Sequence, residues 1–395
     1  MNPALAALRP YPFEKLRLLL AGVQPNPSLR PVNLSIGEPK HAAPQLLRDA
    51  LTAAFDGLSA YPGTAGLPEL RGAIADWLRA RYALDAIDAD TQVLPVLGSR
   101  EALFAFAQTV IDASRPARVV CPNPFYQIYE GAALLAGATP VYLNTDASSG
   151  YRMRFDSLAE REWSEVQLVY VCSPGNPSGG VMTLEDWRQL FELSDRHGFA
   201  IASDECYSEL YPDEAAPPLG GLGAARRLGR AGYPRLVVFS SLSKRSNAPG
   251  LRSGFVAGDA ALLKDFLLYR TYHGSAMSVM VQKASAALWR DEAHVRENRR
   301  LYAEKFRAVT PLLAPLGAYL PDGGFYLWLR TPIDDAEFVR RLQAEYNALV
   351  LPGSYLARVA QGRNPGANHV RVALVEPLEL CVEGAERIRQ FAARL

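Results

Sequence analysis

Apolar, β-branched runs alternate with amphipathic helical stretches from Arg118 to Ser240, and that alternation leaves few folds open. The runs Arg118–Cys121, Pro140–Leu143, Val166–Cys172, Phe199–Ser203 and Arg235–Ser240 have the length and branching of buried strands. Between them, Phe125–Ala136 and Leu184–His197 space their apolar residues as helices do. Strands buried on both faces and separated by helices imply an α/β fold with a mostly parallel sheet covered on each side. Ligands of such sheets bind beyond the carboxyl ends of the strands. Four chemically apt side chains fall there, each after its own strand: Tyr126, Asn176, Asp204 and Lys244.

Lys244 stands in a polar turn, Ser240-Ser241-Leu242-Ser243-Lys244, and Arg252 follows between Gly250 and Gly254. Small residues let a bulky ligand approach the backbone, and a lysine amine can form a Schiff base with an aldehyde. The chain has six lysines: Lys15, Lys40, Lys244, Lys264, Lys283 and Lys305. Apart from Lys40, the others sit in helical or charged contexts that read as solvated surface. Gly98-Ser99-Arg100 is a small-residue turn opening an apolar helix that runs to Ile111. Such a helix start offers free N–H groups and the positive end of the dipole to an anion. Asp204 closes a buried strand, where a carboxylate is costly without a partner, so a cation is expected beside it.

Ser241-Leu242-Ser243-Lys244, with Asn247, Gly250, Arg252 and Gly254, resembles the lysine signature of the class I and II aminotransferases. These are fold-type I enzymes that use pyridoxal 5'-phosphate (PLP). Ser173-Pro174-Gly175-Asn176-Pro177 and Asp204-Glu205-Cys206-Tyr207 match further motifs of that family. The resemblance implies that Lys244 carries PLP and later moves the substrate's α-proton. It implies that Asp204 pairs with the pyridine nitrogen and that Tyr126 stacks on the ring. Asn176 and Tyr207 would donate to the 3' oxygen. The phosphate would fall to Gly98, Ser99, Arg100, Ser241, Ser243 and Arg252, with Tyr61 reaching it from the other subunit of a homodimer. On the substrate side, Gly37 would lie in a loop over the substrate, Asn176 would also contact it, and Arg371 would bind the α-carboxylate. The matches run in order from Gly37 to Arg371, nearly the whole chain.

With 395 residues the chain exceeds one simple core. The expected division is an N-terminal segment, 1–43, packing with a small α+β domain, 286–395, around a large PLP-binding domain, 44–285. A single long helix is expected over Val279–Thr310. Net charge is +1 with acids and bases interspersed, which argues against nucleic acid or a membrane surface as the partner. Cys121, Cys172, Cys206 and Cys381 lack metal-ligand spacing and read as reduced thiols of a cytoplasmic protein. Gly221-Leu222-Gly223 meets Arg226 where a dinucleotide fingerprint needs its third glycine, so a nicotinamide cofactor is disfavoured.

Within the family, Pro10–Leu16, Ser35–His41 and Tyr269–Gly274 are most similar to the N-succinyldiaminopimelate branch of bacterial lysine biosynthesis. That branch exchanges amino groups, in ping-pong fashion, between L-glutamate/2-oxoglutarate and N-succinyl-LL-2,6-diaminopimelate/N-succinyl-2-amino-6-oxopimelate. Both amino substrates have a distal carboxylate, and Arg270, reaching over from the partner subunit, or Lys40 is the expected cation for it. The alternatives are a broader aspartate or aromatic aminotransferase, a PLP-dependent C–S lyase of the same fold, or a non-enzymatic PLP-fold regulator.

Overall fold

The computed structural model describes residues 2–395. Its strands are β1 (Val32–Asn33), β2 (Val93–Val96), β3 (Arg118–Asn123), β4 (Thr139–Asn144), β5 (Val166–Cys172) and β6 (Ala200–Asp204). They continue as β7 (Leu236–Ser241), β8 (Gly254–Gly258), β9 (Tyr326–Arg330), β10 (Ala348–Leu349), β11 (Leu351–Pro352) and β12 (His369–Ala373). Seven of them form one sheet in the order β2-β8-β7-β6-β5-β3-β4. β7, β6, β5, β3 and β4 pair in parallel, while β8 runs antiparallel to both its neighbours. β6 and β7 are buried throughout and β5 in all but its last residue, Cys172, as their unbroken apolar runs require. One face packs on Trp163, Trp187, Leu190 and Phe199; the other packs on Phe106, Tyr129 and Phe266.

A second antiparallel sheet, β11-β12-β9, is covered by the helices Asp335–Tyr346 and Leu378–Ala392. The N-terminal segment closes onto it. β1 pairs in parallel with β10, Val32 opposite Ala348, and Leu16, Val32 and Leu34 share a core with Phe306, Phe338, Ile388 and Phe391. This pairing draws the stretch from Leu34 to His41 across the carboxyl end of the large sheet.

Two local expectations change. The helix foreseen over Val279–Thr310 is two helices, Val279–Arg290 and Ala293–Leu313. Asp291 leaves helical geometry (φ −103°, ψ 124°), and its carboxylate caps the N–H of His294. The buried guanidinium of Arg245 supplies the donors that this break needs. It reaches Leu288 O at 2.8 Å, Asp291 O at 3.3 Å and Glu292 Oε1 at 2.5 Å. The helix foreseen from Phe125 begins at Ile128, because the Phe125 N–H donates to Leu356 O rather than into a helical turn.

Arg245 adjoins Lys244 and lies between Trp77 and Trp289, 5.6 and 4.8 Å from their ring centres. Replacing it with alanine removes both this packing and the cation that pairs with Glu292. Arg245→Ala is expected to lower unfolding free energy by about 3 kcal/mol, read by chemical denaturation.

Candidate active site

β3, β5, β6 and β7 are parallel, so their carboxyl ends open onto one edge of the sheet. A cleft of about 600 Å³ lies there. It is lined by Gly37, Ser99, Arg100, Tyr126, Asn176, Asp204, Tyr207, Ser241, Ser243, Lys244, Arg252 and Arg371, residues that span 335 positions of sequence (from 37 to 371). A slightly larger open groove, about 680 Å³ beside Tyr151, Tyr319 and Trp328, holds none of them.

Lys244 follows β7 in a single helical turn, Leu242–Arg245. Its Nζ donates to Gly37 O at 2.7 Å and lies 5.5 Å from the ring centre of Phe325. Burial brings the amine's pKa down to about 8. Gly37 is required at its position: a Cβ there would fall 1.8 Å from the hydroxyl of Tyr326.

Asp204 ends β6 with 4 % of its surface exposed. Tyr129 Oη donates to Oδ2 at 2.7 Å and the Cys206 N–H to Oδ1 at 3.2 Å. Burial raises its pKa, and among the described residues no arginine, lysine or histidine makes an ion pair with it. The charge of Lys244 acts on it only through space, and a protonated ring nitrogen fits as a direct partner. Tyr129 was not among the expected site residues. It lies one position short of a helical turn after Tyr126, and only the fold turns it beneath Asp204.

Arg371, on β12, lies over the Tyr326 ring at 4.3 Å. Its two Nη atoms donate to Asn176 Oδ1 at 3.1 Å and to Ser35 O at 2.8 Å, while Nε is buried without a partner. Tyr207 shares a 3.0 Å hydrogen bond with Tyr326 Oη, and burial pushes its phenol well up, so it stays protonated. The peptide bond Asn176–Pro177 is cis, as are Asn123–Pro124 and Ser173–Pro174.

A cradle for an anion forms where β2 meets the helix Ser99–Val110. No side chain caps the helix start. Ser241 Oγ and Ser243 Oγ stand 2.8 Å apart, and Arg252 donates to Pro249 O at 2.9 Å and Leu97 O at 3.3 Å. Gly98, at φ +84°, makes room for that guanidinium; a Cβ would come within 2.5 Å of it. Uncapped N–H groups, two hydroxyls and an arginine together suit a phosphate. The side chain of Arg100 is separate from this cradle. Its Nε donates to Tyr126 Oη at 2.6 Å, and its Nη atoms have no partner among the described residues.

Besides Gly98, which borders the cradle, three expected residues stand outside the cleft. Arg270 does not line the cleft of its own subunit. Its side chain is 1 % exposed, its Nη1 donates to both oxygens of Glu101 at 2.7 and 2.8 Å, and its Nη2 donates to Ser275 O. Within its own subunit this guanidinium is buried and spent on Glu101. Lys40 pairs with Glu376 at 2.6 Å at the far end of the N-terminal loop. Tyr61 is fully exposed on its own chain.

Residues 30–388 match the family "Aminotransferase class I and II". An aminotransferase from Neisseria meningitidis Z2491 is 53 % identical, with TM-score 0.96, covering 99 % of this chain and 100 % of that one. The LL-diaminopimelate aminotransferase of Aquifex aeolicus is 30 % identical over 91 % of each chain. A probable N-succinyldiaminopimelate aminotransferase from Thermus thermophilus is 25 % identical, with TM-score 0.81, covering 92 % of this chain and 95 % of that one. The chain belongs to the class I and II aminotransferases, a family that depends on PLP.

Proposed function

We propose that this aminotransferase exchanges amino groups between L-glutamate and N-succinyl-2-amino-6-oxopimelate, working as a homodimer with shared sites. The observation that carries the reading is one cleft holding a buried amine at Lys244, an uncompensated carboxylate at Asp204 and an underused guanidinium at Arg371. The names of the Aquifex and Thermus relatives support a diaminopimelate-type substrate. The full exposure of Tyr61 supports its use in a neighbouring subunit's site.

PLP, when bound, supplies the ring that accepts the electron pair released at the substrate's α-carbon. On this reading Lys244 holds its aldehyde carbon, Asp204 its ring nitrogen, and Asn176 with Tyr207 its phenolic oxygen, while Tyr126 covers the ring face. The N–H groups at Gly98–Arg100, with Ser241, Ser243 and Arg252, hold the phosphate. Arg371 takes the α-carboxylate through its fork and so turns the α-hydrogen toward Lys244. An amine with a pKa near 8 is neutral often enough around neutral pH to take that proton, and still basic enough to keep it until transfer. With Arg270 spent on Glu101, the free fork of Arg100 is the cation proposed for the distal carboxylate.

Adding L-glutamate to the PLP-loaded protein should convert its visible band to the ultraviolet band of pyridoxamine phosphate, and Lys244→Ala should abolish the change. Full turnover should then run fastest with N-succinyl-2-amino-6-oxopimelate. A faster reaction with oxaloacetate or an aromatic keto acid would move the assignment to a broader aminotransferase. Because only the neutral amine attacks the aldehyde, the rate of PLP uptake by the apoprotein should rise with pH and reach its half-maximum at about 8; stopped-flow absorbance reads it. Arg100→Met should raise the KM for glutamate by about tenfold or more and leave that for alanine nearly unchanged, in steady-state assays of the two donors.

A further inference from the structure

Lys305, which its charged helical context marks as surface, is only 3 % exposed. Among the described residues no carboxylate lies within ion-pair distance of it; Glu376, whose charge acts on it through space, is paired with Lys40. The amine donates to His41 Nε2 at 2.7 Å and to Val375 O at 3.3 Å. With Nε2 accepting, His41 carries its proton on Nδ1 and donates to Asn298 Oδ1 at 2.9 Å. Asn247 donates to the same oxygen at 3.0 Å. The amide of Asn298 then donates to the carbonyl oxygens of Lys244 and Arg245 at 3.1 and 3.4 Å.

Every bond in this chain points the same way, from Lys305 to the backbone of Lys244. The Tyr302 ring packs against it, 4.6 Å from His41 and 5.0 Å from the Lys305 amine. The surrounding charges are Glu376, Glu379 and the thiol of Cys381 near Lys305, and Glu297 near His41. Charged or neutral, the Lys305 amine keeps N–H groups to donate, so the wire does not need a particular protonation state. The other end closes on itself: Gly37, in the same loop as His41, accepts from the Lys244 amine. Lys244 is thus held at its backbone by the wire and at its amine by the loop that the wire anchors.

We propose that Lys305, His41 and Asn298 are positioning residues for Lys244: they fix the loop Gly37–His41 against the Lys244 backbone and so set where its amine stands when it binds PLP and when it moves the α-proton. This rests on Lys244 being the cofactor lysine.

The test uses the PLP-loaded protein. H41F/K305M removes both polar partners at once, keeps a ring on Tyr302 and orphans no charge; only the Val375 carbonyl loses a donor, so the fold should be retained with a modest loss of stability. Its kcat should fall about tenfold with KM within about twofold, and the pH at which the visible band titrates should move by about half a unit or more. H41N/K305M returns a donor to Asn298 and should regain both properties. Asn298→Ala cuts the last link, should reproduce both losses, and decides the matter if H41F/K305M does not fold. Parent-like kcat and titration in H41F/K305M or in Asn298→Ala would overturn the proposal, as would failure of H41N/K305M to recover. A parent protein with no visible band on adding PLP would instead sink the assignment of Lys244 itself.

Discussion

A primary amine is being kept out of water at the end of β7, and most of the architecture answers to that constraint. Burial disfavours the ammonium form and brings the pKa of Lys244 down to about 8. No single element achieves the burial. The strand supplies the backbone position, β9 and the residues before it bring Phe325 and Tyr326, and the N-terminal loop lays Gly37 O against Nζ. That loop is placed by the pairing of β1 with β10, more than 300 residues away in sequence. The N-terminal segment is therefore part of the chemistry of Lys244, not an appendage to the fold.

The strand-end residues were legible because a sheet buried on both faces writes its strands as unbroken apolar runs. Where such a run stops, the next polar side chain has few places to be, and Asn176, Asp204 and Lys244 could be read in that way. The anion cradle was legible for a related reason, since small residues before a helix leave its N–H groups open. What could not be read was any pairing settled across the fold. Tyr129 stands only three positions from Tyr126, and its bond to Asp204 spans 75 positions. Arg270 looked like a free cation until Glu101, 169 positions away, took its guanidinium. Lys305 sits among charged helical neighbours, which is how surface lysines look. The break at Asp291 is made by Arg245, so the helical periodicity on either side carried no trace of it.

The cleft's charges also bear on how two different substrates can share it. A transaminase must take an amino acid and a keto acid in turn, alike at the α-carboxylate and unlike beyond the reacting carbon. A rigid cation suits the shared end. Arg371 is buried, stacked on Tyr326 and tied by two hydrogen bonds, so its position is set before any ligand arrives. The unlike end calls for the opposite. Arg100 is exposed and tied only through Nε to Tyr126, so its fork can follow carboxylates at different reach without breaking a buried pair. A fixed guanidinium at one end and a swinging one at the other would let a short dicarboxylate and a long one place the same carbon over the same lysine. On this view the breadth of substrates is set by how far Arg100 can travel, and the reaction by how little Arg371 and Lys244 can.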